Sequence, residues 1–207
     1  FCTIGMASLA SGAEFELHPS ITVSQEYTDN VFETTSNRES DYITRALPGL
    51  SMLYRASAMT GDLNYQFDYR HYAQKNHTDE FTHLLAAKGH VIAIKDLFFL
   101  DIHDDFQRVS LDATRDLHQE SLFLNQSDRN VATAEPYVML HPSDRATLKL
   151  AYRFTDTRYF DSPAINKTDH TAMADATYAL TSKLDLTAGY SFTRELSDLD
   201  NFNQHQG

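Results

Sequence analysis

The side chains able to do chemistry are His103-Asp104-Asp105 and a scatter of other histidines among the ten in the chain. An Asp and a His held together can act as a general base and its orienting partner, provided a third group lies within hydrogen-bond reach. Alternation along this segment puts Asp101, His103, Asp105 and Gln107 on one face. Phe98, Leu100, Ile102 and Phe106 lie on the other, interrupted by Asp104. Nothing nearby in sequence supplies the third group. Asp104 therefore belongs near a membrane interface, or a bulge turns it inward.

Metal chemistry finds no better footing. His71 and His77 sit beside a loop, and His83 and His90 are on opposite faces of one strand. No HExxH pair is present, and the single Cys, Cys2, leaves no Cys-based zinc site or disulfide framework. No GxGxxG, P-loop, GxSxG or SxxK pattern occurs. The three N-x-[ST] matches at Asn76, Asn125 and Asn166 are read as incidental. Acidic loop residues such as Asp29, Glu33, Glu39 and Asp41 could hold divalent cations, but their spacing fits no calcium loop. The chain is expected to be no enzyme, with no catalytic, cofactor-binding or metal-binding residue.

The elements carrying these residues have a period of two. Leu63, Tyr65, Phe67 and Tyr69 alternate with Asn64, Gln66, Asp68 and Arg70. Leu148, Leu150, Tyr152 and Phe154 alternate with Thr147, Lys149, Ala151, Arg153 and Thr155. Leu184, Leu186, Ala188, Tyr190 and Phe192 alternate with Asp185, Thr187, Gly189, Ser191 and Thr193. Successive Cβ atoms of a strand point oppositely, so each set occupies one face. Strands are expected near 20–28, 42–55, 60–72, 81–93, 97–107, 130–140, 146–157, 170–180 and 184–195. Several reach the roughly 9–11 residues that a tilted strand needs to cross a bilayer.

The connections alternate in length. Short ones lie at Arg55–Met59, Ile94–Asp96, His141–Asp144 and Thr181–Lys183. Long polar ones lie at Asp29–Asp41, Ala73–Glu80, Arg108–Arg129 and Arg158–Asp169. Short turns on one side and long loops on the other describe an outer-membrane barrel. Aromatic residues gather toward the loop-side strand ends: Tyr27, Phe32, Tyr69, Tyr72, Phe106, Tyr159, Phe160 and Phe192. An interfacial girdle would sit there. The competing reading is a soluble β-sandwich in which the same apolar rows face a second layer. One weak repeat exists, with Tyr152-Arg153-Phe154-Thr155 recurring as Tyr190-Ser191-Phe192-Thr193.

Composition agrees with this assignment. There are 29 acidic residues against 17 Lys and Arg, a net charge of −12. That balance argues against a nucleic-acid partner. No run of about 18 apolar residues is present, so no transmembrane helix is expected. Residues 1–13 are uncharged and end Ser11-Gly12-Ala13, small residues that suit a secretory cleavage site. They read as a signal peptide truncated at its start, followed from 14 to 207 by the N-terminal part of a barrel. The end, Asn201 to Gly207, follows a strand-like segment with no terminal element of its own. Nine strands is an odd number, whereas single-chain bacterial barrels have even ones.

Glu26-Tyr27-Thr28-Asp29-Asn30-Val31-Phe32 resembles the first-strand signature of the PEP-CTERM system-associated outer-membrane proteins. These are Gram-negative porin-like barrels linked to exopolysaccharide loci. Further similar segments are Ser36–Asp41, Pro48-Gly49-Leu50-Ser51, Asn125–Asn130, Tyr152–Phe160 and Gly189–Thr193. The resemblance spans roughly Pro19 to Glu195, and it is the order of these segments that carries it. It implies location and architecture, and no catalytic residue. Members carry a terminal strand ending in an aromatic residue, which Gly207 does not provide.

The sequence therefore predicts an all-β fold: an antiparallel up-and-down transmembrane β-barrel, incomplete, with about nine strands, in the outer membrane. Asn64, Gln66, Asp68, Arg70, Lys149, Arg153, Asp185 and Thr187 would line its lumen. A complete barrel of about 16–18 strands would enclose an aqueous channel. The expected function is a pore or export-associated barrel for polar solutes, with polysaccharide implied by the resemblance alone. Its expected partners are the bilayer, lipopolysaccharide and the barrel assembly machinery. A structural or adhesive surface barrel without transport, and a barrel hydrolase using His103 and Asp105, are the alternatives.

Overall fold

The computed structural model describes residues 12–31, 36–74, 78–110, 126–160 and 164–197, and the backbone of 201–206. Nine long strands follow one another: β1 (Glu14–Thr28), β2 (Asp41–Ala56), β3 (Met59–Tyr72), β4 (Glu80–Ile94), β5 (Phe98–Ser110), β6 (Gln126–Ser143), β7 (Ala146–Phe160), β8 (Lys167–Thr181) and β9 (Leu184–Ser197). A short β10 (Asn201–Gln206) completes the order, where the sequence suggested no element. With ten strands the argument from an odd count lapses. Residues 1–11 of the expected signal segment, Phe32 and His77 lie outside the described residues.

Every strand pairs antiparallel with its sequence neighbours, giving one sheet in the order β1 to β10. β1 and β10 do not pair, so the sheet is open. No helix is present among the described residues. The strands run a few residues past most of the expected ends. β6 begins at Gln126, because cross-strand pairing continues there through polar residues that carry no apolar signal, and β1 begins at Glu14, where Phe15 and Leu17 continue the alternation up to Pro19.

Two prolines interrupt the ladders. The β2–β3 register passes from Ala46↔Tyr69 to Gly49↔Gln66, omitting Pro48. The β6–β7 register passes from Ala134↔Phe154 to Tyr137↔Ala151, omitting Pro136. Proline has no N–H to give to a ladder.

Register assigns every strand residue to one of two faces. Asp41, Ile43, Asp68, Tyr72, Ser127, Glu135, Ala151 and Thr157, the buried strand residues, all fall on the polar face. Large apolar side chains crowd the other face in the open: Ile21 is 72% exposed, Val23 65% and Leu186 60%. No described element covers either face. A face of a single layer becomes buried only when its own side chains converge, as they do on the concave side of a curled sheet. The polar face is therefore concave and the apolar face convex.

The apolar part of the convex face does not follow the register rows. Pro19, Leu50, Tyr65, Leu85 and Phe106 share one row with Asn130 and Arg158. Leu17, Met52, Leu63 and Ala87 share the next convex row with Asp104, Ala132, Asp156 and Thr168. Each row turns from apolar to polar on passing from β4 to β6. The apolar band thus descends toward the short turns from strand to strand, and the strands lie oblique to it.

β2–β5 and β6–β9 are two copies of one four-strand unit, offset by 87 residues. That is the separation of Tyr65 from Tyr152, Phe67 from Phe154, His83 from His170, and Tyr72 from Tyr159. The weak Tyr152-to-Tyr190 repeat is the smaller period within it: β7 and β9 run in the same direction.

At the loop side Val31, Ile43 and Tyr72 form a small apolar cluster. Asp41 fastens the backbone around it, its Oδ1 accepting the Tyr42 N–H at 2.7 Å and the Gln74 N–H at 2.9 Å. Tyr72 is fully buried on the concave side, and Tyr159 lies on that side too. These two are not part of the aromatic girdle expected of them. Tyr27, Tyr69, Phe106, Phe160 and Phe192 do lie on the convex face.

Candidate functional site

The concave face carries the ionic groups, gathered around two carboxylates. Asp68 on β3 is 3% exposed. It accepts both arms of the Arg45 guanidinium from β2, at 2.8 and 2.6 Å, and Arg70 at 3.3 Å. Glu135 on β6 is 7% exposed. Lys149 Nζ at 2.9 Å and Arg153 Nε at 2.7 Å, both from β7, hold one oxygen each.

Both clusters stand beside the proline gaps. Asp68 is opposite the omitted Leu47, and Glu135 precedes Pro136. Where the ladder loses backbone bonds, charge-assisted side-chain bonds tie the same two strands together. The arrangement also fixes the charge at those points: each acid is held by two cations, so each cluster is net positive.

A stack of rings adjoins the second cluster. Phe99 and Tyr137 lie parallel, 5.0 Å between centroids and 15° apart. His90 covers the far face of Phe99 at 5.9 Å, and Lys149 Nζ stands 4.3 Å over the Tyr137 ring. His90 Nδ1 is 2.6 Å from Asp101 Oδ1. Both ring faces of the Phe99–Tyr137 pair are thus occupied, and the stack rigidifies the wall instead of offering a flat binding platform.

The eight residues expected to share a face do share the concave one. Asn64 accepts from Ser51 at 2.7 Å and donates to Asp62 at 2.7 Å. Gln66, with Ser20, Asp105 and Gln107, borders a cavity of about 300 Å³. Asp68 and Arg70 form the first cluster, Lys149 and Arg153 the second. Asp185 and Thr187 lie at the turn side of β9, exposed, and enter neither cluster.

Arg45 and Glu135 complete the two clusters and did not stand out in the sequence, and nothing in it pairs His90 with Asp101. Only cross-strand register brings them to their partners. Elsewhere on this face Lys167 bridges Glu195 at 2.9 Å and Asp169 at 3.5 Å. Carboxylates outnumber cations across the face as a whole, through Glu14, Glu16, Glu26, Asp62, Asp101, Asp175 and Asp185 among others.

The His103-Asp104-Asp105 segment is divided between the two faces. His103 is in register with Lys88 and Thr133, whereas Asp105 accepts from Gln107 at 2.9 Å and lies 3.8 Å from Arg129. The β5–β6 register is unbroken from Phe98 to Ser110, so no bulge turns Asp104 inward. It lies on the convex face, in the row of Asp156 and Thr168, at the polar side of the apolar boundary. His83 and His90 take opposite faces. No group of three metal-ligating side chains occurs among the described residues. Asn166 has a structural part, its Oδ1 accepting the Tyr159 N–H at 2.8 Å.

Outside the strands, Asp79 clamps the loop after β3. It accepts from Tyr69 Oη at 2.7 Å and lies 3.0 Å from His71 Nδ1. Those two bonds, with the Tyr72 N–H, bring its carboxyl down to about 2.

The fold and the site define a single-layer antiparallel up-and-down sheet, concave and ionic on one face, convex and apolar on the other. No family model, no curated protein and no solved structure matches the chain.

Proposed function

We propose that this sheet is the wall of an outer-membrane β-barrel whose concave face lines an aqueous passage for polar solutes. One observation carries the reading: the buried strand residues all lie on the polar face, Asp41, Asp68 and Glu135 among them, while the large apolar side chains of the opposite face stand uncovered. A water-soluble sheet would bury its apolar rows under a second layer. Lipid is the solvent in which an apolar exterior around an ionic interior is stable.

The oblique apolar band supports the same reading. Barrel strands tilt by about 35–45° to the barrel axis, so a band level with the membrane must cross the register rows at a slant. The convex aromatics Tyr27, Tyr69, Phe106 and Phe192 lie toward its loop-side border, where a girdle belongs.

The ionic lining suits passage of hydrated, polar molecules. Exopolysaccharide as the solute, and membership of the PEP-CTERM-associated barrels, rest on the resemblance alone. Reconstitution in a planar bilayer tests the proposal. Stepwise ion conductance, with slower gel migration after boiling than before, is the expected result. A protein that stays in solution without detergent and migrates alike in both states would sink it.

A further inference from the structure

Among the described residues, the convex face has one guanidinium at the border of its apolar band without a counter-charge. On β7, two strands away from β9, Arg158 is held by Asp156 at 2.9 Å. Arg194 on β9 has no carboxylate within ion-pair distance among the described residues, and it is exposed. Phe192 and Tyr190 precede it on the same face, and its cross-strand partners are His170 on β8 and Asn203 on β10. His170 is already engaged, its Nδ1 2.5 Å from Tyr152 Oη and its ring against Phe154.

Beside Arg194 lies a notch of about 310 Å³, lined by Tyr152, His170, Ala172, Phe192, Arg194 and Leu196. Ala172 keeps its floor low between Tyr152 and Phe192. The notch is lined mainly by apolar side chains, with the Arg194 guanidinium and the His170 ring as its polar border. An unpaired cation at an apolar boundary calls for an anion, and guanidinium pairs with phosphate through two parallel hydrogen bonds. A free phosphate ion would satisfy the charge and leave the apolar notch empty. A phosphorylated lipid fills both parts.

We infer that Arg194 and this notch form a binding site for a phospholipid of net negative charge, with its phosphate on the guanidinium and part of an acyl chain against Ala172, Phe192 and Leu196. This rests on the membrane reading above and adds to it a fixed lipid position on the outer wall.

The test uses the folded full chain in detergent, titrated with phosphatidylglycerol or phosphatidylcholine and observed by native mass spectrometry. Phosphatidylglycerol should be retained in preference. Arg194→Ala should weaken its retention about tenfold, equivalent to the loss of one charge-assisted pair. Arg194→Lys should keep part of the preference, and Ala172→Phe, which fills the notch, should weaken both lipids. Equal retention of the two lipids by the parent chain, or no effect of Arg194→Ala, would overturn the site. So would displacement of the lipid by low-millimolar inorganic phosphate, the mark of a simple anion site. Gel migration separates the two levels. A heat-modifiable protein without lipid preference loses this site alone, whereas one that needs no detergent loses the membrane reading with it.

Discussion

His83 and His170 occupy the same place in the two four-strand units. Each Nδ1 meets the hydroxyl of a tyrosine eighteen residues earlier in the chain, Tyr65 at 2.7 Å and Tyr152 at 2.5 Å. Each ring also leans on the phenylalanine directly across the ladder, Phe67 at 5.2 Å and 52°, Phe154 at 5.4 Å and 65°. The pairs lie on the convex face, where a polar group needs a partner of its own. The Tyr–His bond satisfies one ring nitrogen and the phenol together, so an imidazole can stand among apolar side chains.

The pairs should act as two independent fasteners. Tyr65→Phe and Tyr152→Phe each leave a histidine nitrogen without its partner and should cost about 1 kcal/mol. The described contacts of the two sites share no residue, so the double variant should cost the sum. Urea unfolding of the refolded protein in detergent measures this. A double variant no less stable than the parent would refute the account.

Neighbouring residues on opposite faces should respond differently to a charge. Leu186→Arg places a cation on the convex face within the apolar band and should destabilise the bilayer-inserted protein by about 2–4 kcal/mol. Thr187→Arg, one residue on, points to the concave side and should be tolerated. Folding yields into liposomes at graded urea concentrations compare them. Equal penalties would mean that the two faces do not meet different solvents.

The buried carboxylates set local stability and selectivity together. Glu135→Gln leaves Lys149 and Arg153 without their shared acid, and Asp68→Asn does the same to Arg45 and Arg70. The cations are partly exposed, so solvent screening holds the cost to about 1–2 kcal/mol for each variant. Because carboxylates outnumber cations on the concave face, the open conductance should favour cations, and each variant should reduce that preference. Reversal potentials across a salt gradient read the preference, and urea unfolding in detergent reads the stability. Anion preference in the parent protein would contradict the assignment of this face to the lumen.

The loop clamp should respond to acid. The Asp79 carboxyl is depressed to about 2 by its bonds to Tyr69, His71 and the Tyr72 backbone. Its folded value lies below its unfolded one, so the clamp contributes fully above the ordinary aspartate range. It is lost as pH falls through about 2. Proteolysis of the loop after β3 by pepsin should rise across that lower interval, and Asp79→Asn should be cleaved readily throughout the acid range in which pepsin acts. Unchanged cleavage in the variant would show that the clamp does not hold the loop.

The amino-acid sequence by itself determined the strands, their two faces and their order. A period of two leaves no choice of face once the chain is extended, and alternating turn lengths leave adjacent strands as hairpins. It could not determine what depends on pairing between strands. Register decided that Arg45 meets Asp68, that Glu135 meets Lys149 and Arg153, and that Asp104 faces outward beside Asp156. It also put Tyr72 and Tyr159 on the concave side, because one residue of parity reverses a side chain. The 87-residue repeat was visible in principle through Tyr-x-Phe and a following His at equal offsets. It was faint because few of its other positions kept their identity. Only the tertiary structure decided which face is concave. Alternation is symmetric between an apolar core and an apolar exterior, and the curl of the sheet is a collective property of all the strands, encoded in no one of them.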